Sequence, residues 1–85
     1  MYYVYILKSI VTSKYYVGQS QDLDHRLDHH NSGYNKTTKS GMPWLLVYSE
    51  KYQTRSEAVK RESYIKRMKS REFIERLIQL GERPD

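Results

Sequence analysis

The stretch "YYVYILKSIVTSKYYVGQ", residues 2–19, decides the fold. From Tyr2 to Lys8 it is aromatic, β-branched or aliphatic with no breaker, which is strand composition. Apolar residues fall on both faces, so this strand reads as a central one covered on each side. Residues 14–19, "KYYVGQ", repeat the pattern, and the linker "SIVT" is short enough for a hairpin. If Lys8 pairs with Ser13 across that loop, Tyr5 lies opposite Tyr16, and directly opposed residues share a face.

The next segment, "SQDLDHRLDHHNSG" at 20–33, has the signals of a helix. Ser20 or Asp22 can cap its start, and Gly33 can end it. Leu23, Leu27 and His30 recur at helical spacing with Arg26 beside them, so Arg26 and His30 face the domain. His25, Asp28 and His29 point elsewhere, with His29 a solvated neighbour. "GYNKTTKSGMP", 33–43, reads as a loop made basic by Lys36 and Lys39. "WLLVYSE", 44–50, is a third strand. "TRSEAVKRESYIKRMK", 54–69, is a helix capped at Thr54 or Ser56, with Ala58, Ile65 and Met68 on its buried side and Glu62 at the edge of that side. A break near Ser70 begins a last helix, 71–80, packing through Phe73, Ile74, Leu77 and Ile78. The order β-β-α-β-α-α implies an α+β fold, a three-stranded sheet flanked by helices. A single domain over 1–80 is expected, with 81–85 as a tail; there is no internal repeat and no low-complexity tract.

The bulk numbers bound the function. A chain of 85 residues has room for one domain, and at this size folding buries only about 60% of the unfolded surface. There is no cysteine, which excludes disulfides and thiolate metal sites. A metal here must take oxygen or imidazole ligands. The start, "MYYVYILKSIVTSK", lacks a basic stretch ahead of an apolar run, and nothing approaches the roughly 18 apolar residues of a membrane span. The expectation is a cytoplasmic protein with no membrane partner, a monomer or weak homodimer. A net charge of +5 with nine tyrosines points to a polyanion, nucleic acid first.

Four positions are odd for a purely structural domain. Arg26 and His30 are polar on the stripe a helix usually buries, Glu62 is a carboxylate beside another apolar stripe, and Tyr16 sits just before Gly18. Each has a plainer reading. Arg26 could lay its stem along apolar surface and pair with an acid. His30 could complement a helix dipole. Glu62 could pair with Lys66 one turn on, and Tyr16 could be core with a hydroxyl reaching outward. As a set they suit phosphodiester hydrolysis: a carboxylate for loosely held Mg²⁺, an arginine fork for phosphate, and a tyrosine or histidine to relay a proton. No second carboxylate is evident, which argues against a two-metal site.

These residues resemble the GIY-YIG nuclease superfamily, in particular its small single-domain bacterial members. The first motif reads "YVY" at Tyr3–Tyr5 and the second "YVG" at Tyr16–Gly18. "VGQSQDLDHRLDHHNSG" resembles the family's run into its arginine helix, and "PWLLVYSEKYQTRSEAVKRESYIKRMK" its third strand and glutamate helix. The likeness covers residues 2 to about 78. It departs at the first motif's glycine, here Tyr3. The resemblance implies an antiparallel sheet and a DNA endonuclease, with Glu62 as sole ligand of one Mg²⁺ or Mn²⁺ ion and Arg26 on the scissile phosphate. It makes Tyr5 and Tyr16 the motif tyrosines, one of them near the attacking water, and His30 their neighbour. Lys14, Lys36, Lys39, Arg55 and Lys66 are then candidate backbone contacts, giving little sequence specificity and a role in DNA repair or recombination, with RNA not excluded as substrate. The alternatives are a nucleic-acid-binding module without catalysis, or dependent on a partner for activity, and a protein-interaction domain presenting its tyrosines.

Overall fold

The middle strand is β1 (Tyr2–Ser9), which pairs antiparallel with β2 (Tyr15–Ser20) on one side and β3 (Trp44–Tyr52) on the other. The computed structural model describes residues 1–33 and 36–81, the side chains of Lys36 and Thr37 excepted. Tyr34 and Asn35 of the expected loop, and all of the expected tail but Gly81, lie outside the described residues. Between β2 and β3 come α1 (Leu23–Asn31) and the short α2 (Lys36–Lys39); α3 (Arg55–Met68) and α4 (Arg71–Gly81) follow.

Alternation along β1 feeds two cores, one on each face. Val4 and Ile6 pack with Val17, Ala58 and Ile65, beneath Phe73, Ile74 and Leu77 of α4. Tyr5 and Leu7 pack with Trp44, Tyr16, Leu23, Leu27 and Met42. The apolar run of the first strand therefore meant what its composition suggested. None of the residues of α4 is fully buried, so that helix rests on the sheet by its half-buried face.

Helix ends follow local chemistry. The Asp22 carboxylate accepts the amide of His25 at 3.0 Å and starts α1. Gly33 follows its end at φ +84°, a left-handed position that suits glycine. Thr54 and Glu57 form a reciprocal box at the start of α3: the Thr54 hydroxyl accepts the Glu57 amide, and the Glu57 carboxylate accepts the Thr54 amide.

Three expectations need correction. The hairpin register places Lys8 opposite Tyr15, Tyr5 opposite Gly18 and Leu7 opposite Tyr16, so Tyr5 and Tyr16 are not directly opposed. Ser9 explains the longer loop: its buried hydroxyl accepts the amides of Val11 and Thr12 at 3.2 and 2.9 Å and donates to the Gly41 carbonyl at 2.7 Å. The offset is two residues, which preserves the face, so Tyr5 and Tyr16 are diagonal neighbours with ring centroids 6.4 Å apart. Second, 36–39 is helical rather than loop. The carbonyl of Thr38 accepts the Trp44 indole N–H at 2.7 Å and the Gly41 amide at 3.1 Å, a tertiary anchor with no periodic signal. Third, Met68 is 43% exposed. Ile74 and Phe73 of α4 fill the core next to Ile65 instead.

One ionic cluster ties α3 to β3. The Glu50 carboxylate accepts the hydroxyls of Tyr48 and Tyr52 and both forks of Arg61, Nε at 2.9 Å and Nη2 at 3.0 Å. Its side chain is 15% exposed. Burial pushes its carboxyl up, but the bonds from Arg61, Tyr48 and Tyr52 outweigh that and hold it below the usual range. Burial and the bond to Glu50 push the Tyr48 and Tyr52 phenols up to about 12.

The signs of these shifts predict stability against pH. Glu50 titrates lower in the folded chain than in the unfolded one, so its stabilisation is complete above the ordinary carboxylate value of 4.5 and fades as pH falls through the folded value. Tyr48 and Tyr52 titrate higher when folded, so theirs is complete below pH 10.0 and fades as pH rises towards about 12. Urea unfolding across pH should show both losses, and both should shrink in Glu50→Gln. At neutral pH Glu50→Ala should cost about 2–3 kcal/mol, since it strands partly buried donors.

Candidate active site

The site is built on the α1 face of the sheet, around Tyr5. Gly18 lies opposite Tyr5 on β2, and the tyrosine ring crosses directly over it. A Cβ at Gly18 would stand 2.5 Å from the Tyr5 hydroxyl and 3.2 Å from Tyr16 Cε2. Only a residue without a side chain leaves that path open. Tyr5 is 3% exposed.

At the end of that path the Tyr5 hydroxyl meets His30 Nε2 at 3.1 Å, while His30 Nδ1 meets the Thr38 hydroxyl at 2.9 Å. His30 is 1% exposed. The Tyr16 ring packs on it with centroids 4.7 Å apart, and Trp44 meets Tyr16 edge-on at 6.3 Å. Burial, and then the neighbouring Arg26 and His29, push the His30 pKa below the ordinary imidazole value, which favours the neutral ring. Burial, and then Tyr16, push the Tyr5 phenol well above its usual value; Glu62 adds to the shift and Arg26 opposes it. The structure thus gives His30 specific side-chain partners beyond any dipole role.

Arg26 projects from α1 half-buried, and its Nε is buried with no hydrogen-bond partner among the described residues. A buried donor without an acceptor costs free energy that a ligand can recover. Arg26 also lines an open cleft of about 320 Å³ with Tyr2, Gln19, Ser20, Asp22 and Arg55. Glu62 enters from α3 with its side chain 19% exposed. Its carboxylate accepts Lys66 Nζ at 2.7 Å, and that ammonium lies 5.9 Å from the centre of the Tyr16 ring. The plain reading of Glu62, a helical pair with Lys66, is therefore what the structure contains, at the rim of the tyrosine cluster.

Of the five residues expected at the centre, Tyr5, Tyr16 and His30 are in mutual contact and Arg26 lies on the same helix as His30, while Glu62 reaches only the rim, through Lys66, from α3 on the Val4–Ile6 side of the sheet. Of the expected basic contacts, Arg55 shares the cleft with Arg26. Lys66 sits on Glu62, and Lys14 lines a groove with Lys66, Lys69 and Arg71. Lys39 is exposed on α2, on the far side of His30. The Lys36 side chain lies outside the described residues. His29 was expected to be solvated; it is half-buried, its ring 6.4 Å from that of His30.

The sequence reading missed Thr38 and Asn31. The Asn31 amide donates to the Trp44 carbonyl at 3.0 Å and accepts the Trp44 amide at 2.6 Å, joining the end of α1 to the start of β3. The signal that could have found Thr38 is the lone tryptophan: a buried indole needs an acceptor, and the small polar loop before it was the place to look.

The profile of the GIY-YIG catalytic domain matches residues 1–75. The chain belongs to the GIY-YIG family. It is 46% identical over 66 residues to a UPF0213 protein of Staphylococcus aureus strain Mu3, which covers 76% of this chain and 79% of the relative. The UPF0213 protein of S. aureus strain N315 gives the same figures, 46%, 66 residues, 76% and 79%. The solution NMR structure of the UPF0213 protein BH0048 from Bacillus halodurans aligns with a TM-score of 0.61 at 34% identity, over 96% of this chain and 88% of that one. The fold is therefore that of a small single-domain bacterial GIY-YIG member. The family is one of nucleases, which act on nucleic acid and are generally dependent on divalent metal.

The donor set fits such a metal in one form. Among the described residues no three histidines or carboxylates converge. The rim of the tyrosine cluster offers Glu62, a single hard oxygen donor group, while the Asp22 carboxylate in the Arg26 cleft is engaged in capping α1. Mg²⁺ keeps most of its waters and can be held through one carboxylate, so a water-rich ion suits this site and a fully caged one does not.

Gly18→Ala tests the packing that builds the site. Alanine in place of a strand glycine ordinarily stabilises by about 0.5–1 kcal/mol. Here the Tyr5 hydroxyl must move, and its bond to His30 must break. The expected result in urea unfolding is the opposite sign, a loss of about 1–3 kcal/mol.

Proposed function

We propose that this protein is a metal-dependent endonuclease that hydrolyses DNA phosphodiester bonds. The observation that carries the reading is Arg26: a cation that lines an open cleft, whose buried Nε has no partner among the described residues, on the same helix as His30. A phosphate oxygen is the acceptor such a guanidinium fits.

The working groups are Tyr5, Tyr16, Arg26, His30 and Glu62. Arg26 binds the scissile phosphate and meets the charge that grows on it during attack. Its position in the free protein means little reorganisation is needed, the condition under which such groups contribute most. Neutral His30 and the tyrosine pair hold and move the proton of the attacking water. Glu62 would hold the divalent ion, Mg²⁺ or Mn²⁺, and Lys66 must first release that carboxylate. When bound there, the ion supplies positive charge beside the phosphate and makes nearby water more acidic.

Arg55, Lys14 and Lys66, with Lys39 at the periphery, contact flanking phosphates. Backbone contacts position the substrate without reading its bases, so binding is salt-sensitive and sequence specificity low. An open cleft of this kind suits selection by substrate shape, as DNA repair and recombination require, and we place the protein in the cytoplasm. One observation favours a second reading, a nucleic-acid-binding module without catalysis: Lys66 already occupies the Glu62 carboxylate.

Cleavage of duplex, single-stranded and branched DNA, run with Mg²⁺, Mn²⁺ and chelator, tests the reading. The expected outcome is metal-dependent cutting. Glu62→Gln should abolish it with DNA affinity largely kept, and Arg26→Ala should lower kcat by about 10²–10³. Undiminished cutting by Glu62→Gln removes the mechanism. Salt-sensitive binding without cutting under every condition selects the binding module.

A further inference from the structure

Tyr5, His30 and Thr38 form an unbroken chain of polar atoms through the core on the α1 face of the sheet. The Tyr5 hydroxyl is held in a side chain that is 3% exposed, and His30 Nε2 at 3.1 Å is its one hydrogen-bond partner among the described residues. The phenol proton therefore belongs on the line to Nε2. A neutral imidazole that accepts at Nε2 carries its own proton on Nδ1. That proton points at the Thr38 hydroxyl oxygen, 2.9 Å away.

Thr38 is itself fixed. It is 1% exposed, and its carbonyl holds the Trp44 indole at 2.7 Å and the Gly41 amide at 3.1 Å. Trp44 is in turn clasped by the side chain of Asn31, next to His30 in sequence. The hydroxyl thus meets His30 from a frame joined to both ends of the α1–β3 connection.

We propose that Thr38 is a positioning residue that locks His30 in its Nδ1–H tautomer, so that Tyr5 works as a proton relay to His30 Nε2. In the relay, an O–H bond of the attacking water breaks and its proton goes to the Tyr5 oxygen. The original Tyr5 O–H bond breaks at the same time, and that proton goes to His30 Nε2. The electron pair of the water O–H bond becomes the attacking lone pair, and the imidazole becomes an imidazolium that later returns its proton to solvent by the same path. Tyr5 never has to exist as a resting tyrosinate, a state its burial opposes; the charge falls instead on His30, and only transiently, because burial and Arg26 favour its neutral form. The relay rests on the endonuclease reading; the tautomer does not.

The test is ¹⁵N spectroscopy of the histidine side chains in the DNA-free protein at mildly alkaline pH, paired with cleavage kinetics. The expected result is His30 protonated on Nδ1. Thr38→Val keeps the shape but removes the hydroxyl, and should lose that preference and lower kcat by about tenfold or more with KM little changed. Thr38→Ser should restore both. An Nε2–H tautomer in the wild-type protein overturns the proposal without recourse to any variant. So does a Thr38→Val protein with unchanged tautomer or unchanged kcat, and in that case metal-dependent cutting by the wild type leaves the endonuclease reading standing. A wild-type protein with the Nδ1–H tautomer that cuts nothing overturns the endonuclease reading, and the relay with it.

Discussion

The structure depends on β1 being covered on both faces. The middle of that strand, Val4 to Leu7, has no wet side, so those residues must be satisfied inside the protein. Val4 and Ile6 meet the demand with apolar contact, and Leu7 does the same on the other face. Tyr5 cannot, because it carries a hydroxyl. That group needs a partner within the core, and His30 is the partner. His30 then needs Thr38, which brings α2, Trp44 and Asn31 into the same set of bonds. One buried phenol thereby accounts for the arrangement of the whole α1 side.

The opposite face is organised by charge. Glu50 gathers Tyr48, Tyr52 and Arg61, tying the outer strand to α3. Arg61 and Glu62 are adjacent in sequence but serve different regions: Arg61 is tied to β3, while Glu62 reaches the rim of the tyrosine cluster. The helix that carries Glu62 is therefore held by an ionic anchor apart from the tyrosine cluster. A partly buried pair of this kind adds little net stability compared with apolar packing, but it fixes orientation.

Much of this was legible in the sequence, for identifiable reasons. The strands were readable because runs such as Tyr2–Lys8 contain no competing signal. The start of α3 was readable because Thr54 and Glu57 have the spacing of a reciprocal cap. Arg26 and His30 were readable as exceptions to an apolar stripe. The hairpin register was not, because it depends on Ser9 binding two loop amides and a carbonyl 32 residues away. The conclusion about shared faces survived only because the error was even-numbered. The Thr38 anchor was invisible because tertiary bonds create it, in a segment whose composition says loop. Met68 misled because periodicity cannot foresee that α4 folds back into the space.

The shallow seating of α4 has a consequence for how the molecule breathes. With no fully buried residue, α4 has the shallow packing that favours local opening at a lower free energy than that of the sheet it covers. It lies against the Val4–Ile6 side, where the Gly81 backbone closes over the Tyr48 ring. Its opening would wet the Glu50 cluster while the tyrosine–histidine side stays assembled on β1. Loosening from the C-terminal end would thus reach the Arg61–Glu50 anchor of α3, and with it the helix that carries Glu62, before it reached the tyrosine–histidine cluster on the other face of the sheet.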